Sequence, residues 1–308
     1  MIAFFQYYRI ISAYLILLIH QQFWHKPTIL GKLTSVAVPL FAAMSGFLFA
    51  KTISSDFNFK TVIAKKAQRI LVPYLIWAII YWIANSVILD GFVRHETVKF
   101  PGLRTWLLGG TACHLWFLPC LFIMFIVFLF IGKIAQKTKI NYIWFSIIVL
   151  LVSSFTQFIT DETSATLAGY VRIYFGRCAF YFALGIIIFR ITHSKPIPYI
   201  WGPAILLGCV NITFQLLTGL IWNPLLLVIG LILMAQNFND FKLPRWVSQL
   251  SDDSMGIYLV HVLFTSGANF ALQKIGYSPL PPLIGLLLSM VIFVVSFLTV
   301  CLLPKKFF

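Results

Sequence analysis

Phe4-Phe5-Gln6-Tyr7-Tyr8-Arg9-Ile10-Ile11-Ser12-Ala13-Tyr14-Leu15-Ile16-Leu17-Leu18-Ile19-His20-Gln21-Gln22-Phe23 opens the chain. A helix needs about 20 apolar residues to cross a hydrocarbon core of about 30 Å, and this stretch has that length. It carries two ionisable residues, Arg9 and His20, eleven positions apart. At about 100° per residue they return to within roughly 20° of one face, with a rise of about 16 Å. An ionisable pair at such depth is a functional-site candidate. The plainer alternative has each side chain snorkel to its own interface. No basic leader or small-residue cleavage site interrupts the run, so it is expected to persist as a span.

The rest of the chain extends that reading. It is 60% hydrophobic and only 10% charged, where a soluble domain carries about 25% charged residues. The mean hydropathy is +0.94. The apolar runs are continuous rather than alternating, which selects spanning helices over a barrel. The expected fold is an all-α polytopic membrane protein, one membrane-embedded domain over residues 1–308. Its ten expected spans are 4–23, 33–50, 70–89, 115–132, 141–158, 172–190, 199–217, 220–236, 255–273 and 283–303.

The net charge is +15, from 23 basic and 8 acidic residues. The basic residues sit in short interhelical loops, which points to membrane lipids and topology rather than to nucleic acid. Fourteen Lys and Arg fall on one side of the expected spans and seven on the other. That bias predicts cytoplasmic termini, with Arg9 near the inner leaflet and His20 toward the outer face. The five cysteines lack a CxxC or Cys/His ligand spacing. Free core thiols, no disulfide framework and no metal site are expected. Cys113 stands apart because it adjoins His114.

Several local patterns carry chemistry. In the second span Pro39 predicts a kink, and Ser45-Gly46 allows close backbone approach or ordinary small-residue packing. Residues 58–69 hold Lys60, Lys65, Lys66 and Arg69 among apolar positions. They read as a basic amphipathic helix on the cytoplasmic surface, suited to headgroups or to phosphorylated ligands. The outer loop 90–113, with Arg94, His95, Glu96, Lys99 and Arg104, is long enough to be functional or a lid. His114-Leu115-Trp116 follows it, at the depth expected for His20. Arg177 lies too deep to snorkel and implies an anionic ligand, a polar cavity or carbonyl partners. Ser251-Asp252-Asp253-Ser254 is suited to capping the ninth span, in which Tyr258 and His261 share a face.

Together these stretches resemble the membrane-bound acyltransferase family 3, the O-acyltransferases of bacterial surface polysaccharides. The matching features are Arg9 with His20, Val38 to Leu48, Lys65 to Tyr74, His114 to Leu118, Phe180 to Gly185, and Ser254 to His261. They occur in the family's order. One departure is Lys65-Lys66 where an Arg commonly begins the basic run, which weakens bidentate phosphate recognition there.

The resemblance implies a bacterial inner-membrane O-acetyltransferase. Acetyl-CoA would be the cytoplasmic co-substrate, with no tightly bound cofactor. The acceptor would be a sugar hydroxyl of a surface polysaccharide or its lipid-linked precursor, such as O-antigen of lipopolysaccharide. No SGNH hydrolase-like stretch occurs in the 308 residues, so direct transfer to a lipid-linked glycan is expected. His20 would be the general base or a transient acyl carrier. Arg9 would lie toward the CoA side. Arg69, Lys65 and Lys66 would bind its phosphates, and Tyr258 and His261 would line the donor tunnel. His114 and Trp116 would shape the acceptor side, and Arg177 and Ser45 the cavity. The alternatives are another acyl group such as succinyl, a glycan or lipid transporter, and a structural subunit or sensor.

Overall fold

The computed structural model describes residues 3–88, 102, 106, 109, 111–156, 172–193, 199–218, 224–238, 242–304 and 307–308. Among these the chain is helical, with a single isolated bridge between Trp24 and Leu280. The helices are α1 (Ala3–Ile19), α2 (Thr28–Thr34), α3 (Ala37–Ser54), α4 (Phe59–Ile83), α5 (Phe117–Thr138) and α6 (Tyr142–Thr156). There follow α7 (Phe180–Thr192), α8 (Trp201–Thr218), α9 (Leu225–Asn237), α10 (Arg245–Asp252), α11 (Ser254–Lys274) and α12 (Pro282–Leu302). π-helical segments extend α4 at Ala84–Ile88 and precede α7 at Arg172–Ala179.

A helix lies in each of the ten apolar segments expected from the sequence. By length and composition, five helical stretches are candidate membrane spans: Thr28–Ser54, Phe59–Ser86, Phe117–Thr138, Ser254–Lys274 and Pro282–Leu302. Arg94, His95, Glu96, Lys99 and Arg104 of the long outer loop fall outside the described residues. So do the junction between the seventh and eighth segments and the side chain of Arg172.

Three local outcomes differ from expectation. Helix α1 stops at Ile19, so His20 to Phe23 form a capping turn instead of completing the span. The basic run 59–69 is not a separate surface helix, because it continues without a break into the apolar part of α4. Asn58 accepts a bond from the Thr61 amide at 3.0 Å and starts that helix, as an N-cap residue does. Helix α11 has no side-chain cap. Instead α10 leads into it across one turn at Asp253, where the Ser254 hydroxyl donates to the Ser251 carbonyl at 2.7 Å.

Pro39, expected to kink the second span, instead lies in the first turn of α3. A proline cannot donate to the carbonyl four residues earlier. That residue is Ser35, and the chain is broken there between α2 and α3.

The chain divides into two compact units. The first holds residues 1–5, 38–68 and 120–241. Its centre is the α3–α7 contact. A Cβ on Gly46 would lie 2.0 Å from the Phe182 carbonyl oxygen, and one on Gly185 would lie 2.0 Å from that of Ala43. Each helix therefore needs a glycine where the other's backbone passes. Phe49, Phe125, Phe128 and Phe182 stack around that crossing. The second unit holds residues 6–37, 69–119 and 242–308. In it Leu17, Leu18, Phe23, Trp24 and Ile292 form a buried cluster. The Trp77 indole donates to the Phe307 carbonyl at 2.9 Å, docking residues 307–308 on α4.

Candidate functional site

The site is built in the second unit, beginning with the turn after α1. The last carbonyls of a helix have no internal donors. Here the Lys26 ammonium supplies them, donating to the carbonyls of Leu18 at 2.8 Å, Ile19 at 3.2 Å and Gln21 at 3.0 Å. A cation also suits the negative end of the helix dipole. Burial holds the Lys26 pKa below the ordinary lysine value. The Gln21 side-chain oxygen accepts from Ser289 at 2.6 Å and from the Trp24 indole at 2.9 Å. The Leu280 amide donates to the Phe23 carbonyl at 2.7 Å. His20 is thus carried on a turn fixed from several sides.

A second turn, residues 111–116, brings in His114. The Thr111 hydroxyl donates to the Ala78 carbonyl at 2.5 Å, and Asn85 donates to the Thr111 carbonyl at 3.2 Å. Both ties run to α4 and its extension. On the other side the Tyr258 hydroxyl donates to the His114 carbonyl. Tyr81 of α4 donates to the Leu259 carbonyl at 2.6 Å. His114 Nε2 lies 3.4 Å from that same oxygen.

Three imidazoles converge between these elements. Ring centroids are 5.9 Å apart for His20 and His114, 5.5 Å for His20 and His261, and 5.1 Å for His114 and His261. Tyr81 and Tyr258 meet the His114 ring at 5.1 and 5.3 Å. A carbonyl only accepts, so the nitrogen facing it carries the proton. His114 therefore holds its proton on Nε2. His261 holds its proton on Nδ1, 2.7 Å from the Tyr258 carbonyl. The remaining nitrogens, His114 Nδ1 and His261 Nε2, are buried lone pairs without a partner among the described residues.

Burial ranks the three rings. His114 is 2% exposed and His261 is 0% exposed, whereas His20 is half-buried. His20 Nδ1 also lies 3.3 Å from the Sγ of exposed Cys113. Of the three residues, His20 is the least enclosed.

Arg9 is half-buried on α1, in electrostatic range of Arg69 and Asp252. The structure thus brings together His20, His114, His261 and Tyr258, while Arg9 and Arg69 lie within electrostatic range of each other. Trp116 is half-buried two residues after His114, with its ring 5.9 Å from Phe117. Ser45, Lys65, Lys66 and Arg177 belong to the first unit. There Lys65 and Arg177 are exposed, Ser45 is half-buried, and the Lys66 ammonium sits 4.1 Å from the Phe125 ring centroid. Tyr81, Asp252 and the cap by Lys26 were not singled out for the site by sequence reasoning. Nothing in an aromatic-rich helix marks Tyr81, and Lys26 reads as one more loop charge.

A family model described as an acyltransferase domain matches residues 2–303, nearly the whole chain. The chain belongs to the acyltransferase 3 family. Comparison with curated proteins and with solved structures returns no match. With its apolar helices, this membership makes the protein a multi-pass membrane acyltransferase. Acyl transfer in general is helped by a group that accepts the nucleophile's proton as the new bond forms, and an imidazole is suited to that.

Proposed function

We propose that this acyltransferase moves an acetyl group from cytoplasmic acetyl-CoA to a sugar hydroxyl of a cell-surface polysaccharide or its lipid-linked precursor. The observation that carries the reading is the convergence of His20 with two fully buried histidines, His114 and His261. His20 accepts the proton of the sugar hydroxyl. The hydroxyl oxygen bonds to the acetyl carbon and the carbon–sulfur bond breaks. The proton then passes from His20 to the leaving CoA thiolate, so the enzyme ends unchanged.

Arg9 and Arg69 bind the CoA phosphates. Charge-assisted bonds from guanidinium to phosphate suit this role. His114 and Trp116 shape the acceptor side, and Tyr258 and His261 support the ring cluster. The protein is a single membrane-embedded domain with ten spans and cytoplasmic termini, in the bacterial inner membrane. The bias of basic residues toward one side supports that orientation. Acetyl-CoA is a co-substrate and no cofactor is held between turnovers.

Mass spectrometry of surface glycan from a deletion strain tests the reading. Restoring the intact chain returns an acetyl mass increment; membrane-inserted His20→Ala or Arg9→Ala does not. Wild-type acetylation with either variant overturns the assignment. Restoration of glycan export without any acyl increment identifies a transporter instead.

A further inference from the structure

The first unit contains an open cavity of about 470 Å³ that the acyl-transfer reading leaves unused. It lies where α3, the α5–α6 turn and the end of α7 meet. Lys139, Arg190 and His193 line it, with Ser54, Asn141 and Tyr142 supplying hydroxyl and amide groups. No carboxylate is among the lining residues. Lys139 occupies the left-handed region at φ 58° in the turn between the helices. Asn141 accepts from the Ile143 amide at 3.1 Å and opens α6, a helix of 15 residues. The positive end of that helix dipole therefore adds to the basic side chains. The Tyr142 and Ser54 hydroxyls are 2.8 Å apart, and the His193 ring stacks on Phe189 at 4.6 Å.

Apolar surface accompanies this basic lining. Ile140 lines the cavity and is 47% exposed. Ile134, Ile191 and Trp144, neighbours of the lining residues in sequence, are exposed as well. A soluble phosphate has no use for an exposed Ile140 in the lining, whereas an amphiphile covers it with an acyl chain. Basic pockets between spanning helices suit anionic lipid headgroups. Lys139 and Arg190 also belong to the side on which basic residues predominate, the side expected to face anionic cytoplasmic-leaflet lipid.

We propose that this cavity is a binding site for the phosphate of an anionic phospholipid. Lys139 and Arg190 contact the phosphodiester, and Asn141 and Tyr142 hydrogen-bond to headgroup hydroxyls. The acyl chains run along Ile140 and the apolar surface beside it.

Native mass spectrometry of the intact protein in detergent, titrated with phosphatidylglycerol, tests this. The expected result is one tightly retained lipid, with phosphatidylcholine retained much less. Arg190→Glu and Lys139→Glu should each weaken retention about fivefold, the effect of one basic group near an anionic surface. Lys274→Glu, an equal charge change at the exposed end of α11, should leave it unchanged. The milder Arg190→Gln, checked for an unaltered melting temperature, separates loss of the site from loss of fold. Equal weakening by Lys274→Glu and Arg190→Glu would overturn the proposal, as would equal retention of phosphatidylcholine. Protection of the cavity by glycerol 3-phosphate as strong as by the lipid would assign it to a soluble phosphoester instead. Acyl transfer by Arg190→Gln is read separately, so failure of this site and of the transfer reading remain distinct.

Discussion

Tyr81 and His114 share one acceptor. The Tyr81 hydroxyl is 2.6 Å and the His114 Nε2 is 3.4 Å from the carbonyl oxygen of Leu259. α4 and the 111–116 turn are thereby referenced to the same backbone atom of α11. Tyr81→Phe removes the shorter bond while keeping the ring. The expected cost is about 1 kcal/mol of stability, read as a lower melting temperature. Acetyl transfer should fall at unchanged donor affinity, because His114 loses its fixed neighbour.

Removing His20 should leave the fold intact and remove the chemistry. The ring is half-buried, and the turn that carries it is held by backbone bonds and by Lys26. His20→Ala should lower the transfer rate by about 10²–10⁴-fold, the usual contribution of a positioned proton acceptor. A radiolabelled acetyl-CoA assay on purified enzyme measures this. An unchanged rate would falsify the assignment of the base.

Lys26→Met should unsettle the same turn from behind. The carbonyls of Leu18 and Ile19 at the end of α1, and of Gln21 just after it, lose the ammonium that donates to them, and a cation is lost from the negative end of the helix. About 1–3 kcal/mol of destabilisation follows. Lys26→Arg should recover part of it. The readouts are melting temperature and transfer rate, which should fall together in Lys26→Met and partly return together in Lys26→Arg.

Arg9 and Arg69 are like charges held within electrostatic range of one another, with Asp252 as the opposing charge. An anion between them would relieve the repulsion. Arg69→Ala should therefore raise the KM for acetyl-CoA more than it lowers kcat, the sign of lost ground-state binding. Steady-state kinetics over donor concentration distinguish this from a role in the chemical step, which would lower kcat at constant KM.

Gly46→Ala and Gly185→Ala should both be severe. In each the new carbon would meet a backbone carbonyl oxygen at 2.0 Å, and backbone cannot step aside as a side chain does. Separation of α3 from α7 should lower the yield of monodisperse protein and its melting temperature, with a cost of about 1–3 kcal/mol or more. Ser45→Ala, next to Gly46 but half-buried, should change stability by much less.

The sequence displayed part of this plainly. Arg9 and His20 stood out because ionisable groups are rare in apolar runs, and Ser45-Gly46 stood out because small residues license contact. Their partners did not. Tyr258 and His261 shared a face by spacing, but that His261 joins His20 and His114 depends on how α11 meets two turns, which periodicity does not encode. The end of α1 was misplaced because Gln21, Gln22 and Phe23 are compatible with helix; the cap that stops it comes from Lys26, beyond the segment. The basic run of α4 was separated from its apolar half by composition, yet nothing between Arg69 and Leu71 breaks a helix.

The three imidazoles are oriented by main-chain carbonyls or by Cys113, with no carboxylate among their hydrogen-bond partners in the described residues. Main-chain acceptors are supplied by every residue type, so their position depends on helical register rather than on residue identity. Deleting or inserting one residue in α11 ahead of Leu259 would turn that carbonyl by about 100° and misdirect His114 and Tyr81 at once. Substitutions along this helix that keep its register therefore preserve the acceptor, whereas a change of its length ahead of Leu259 does not.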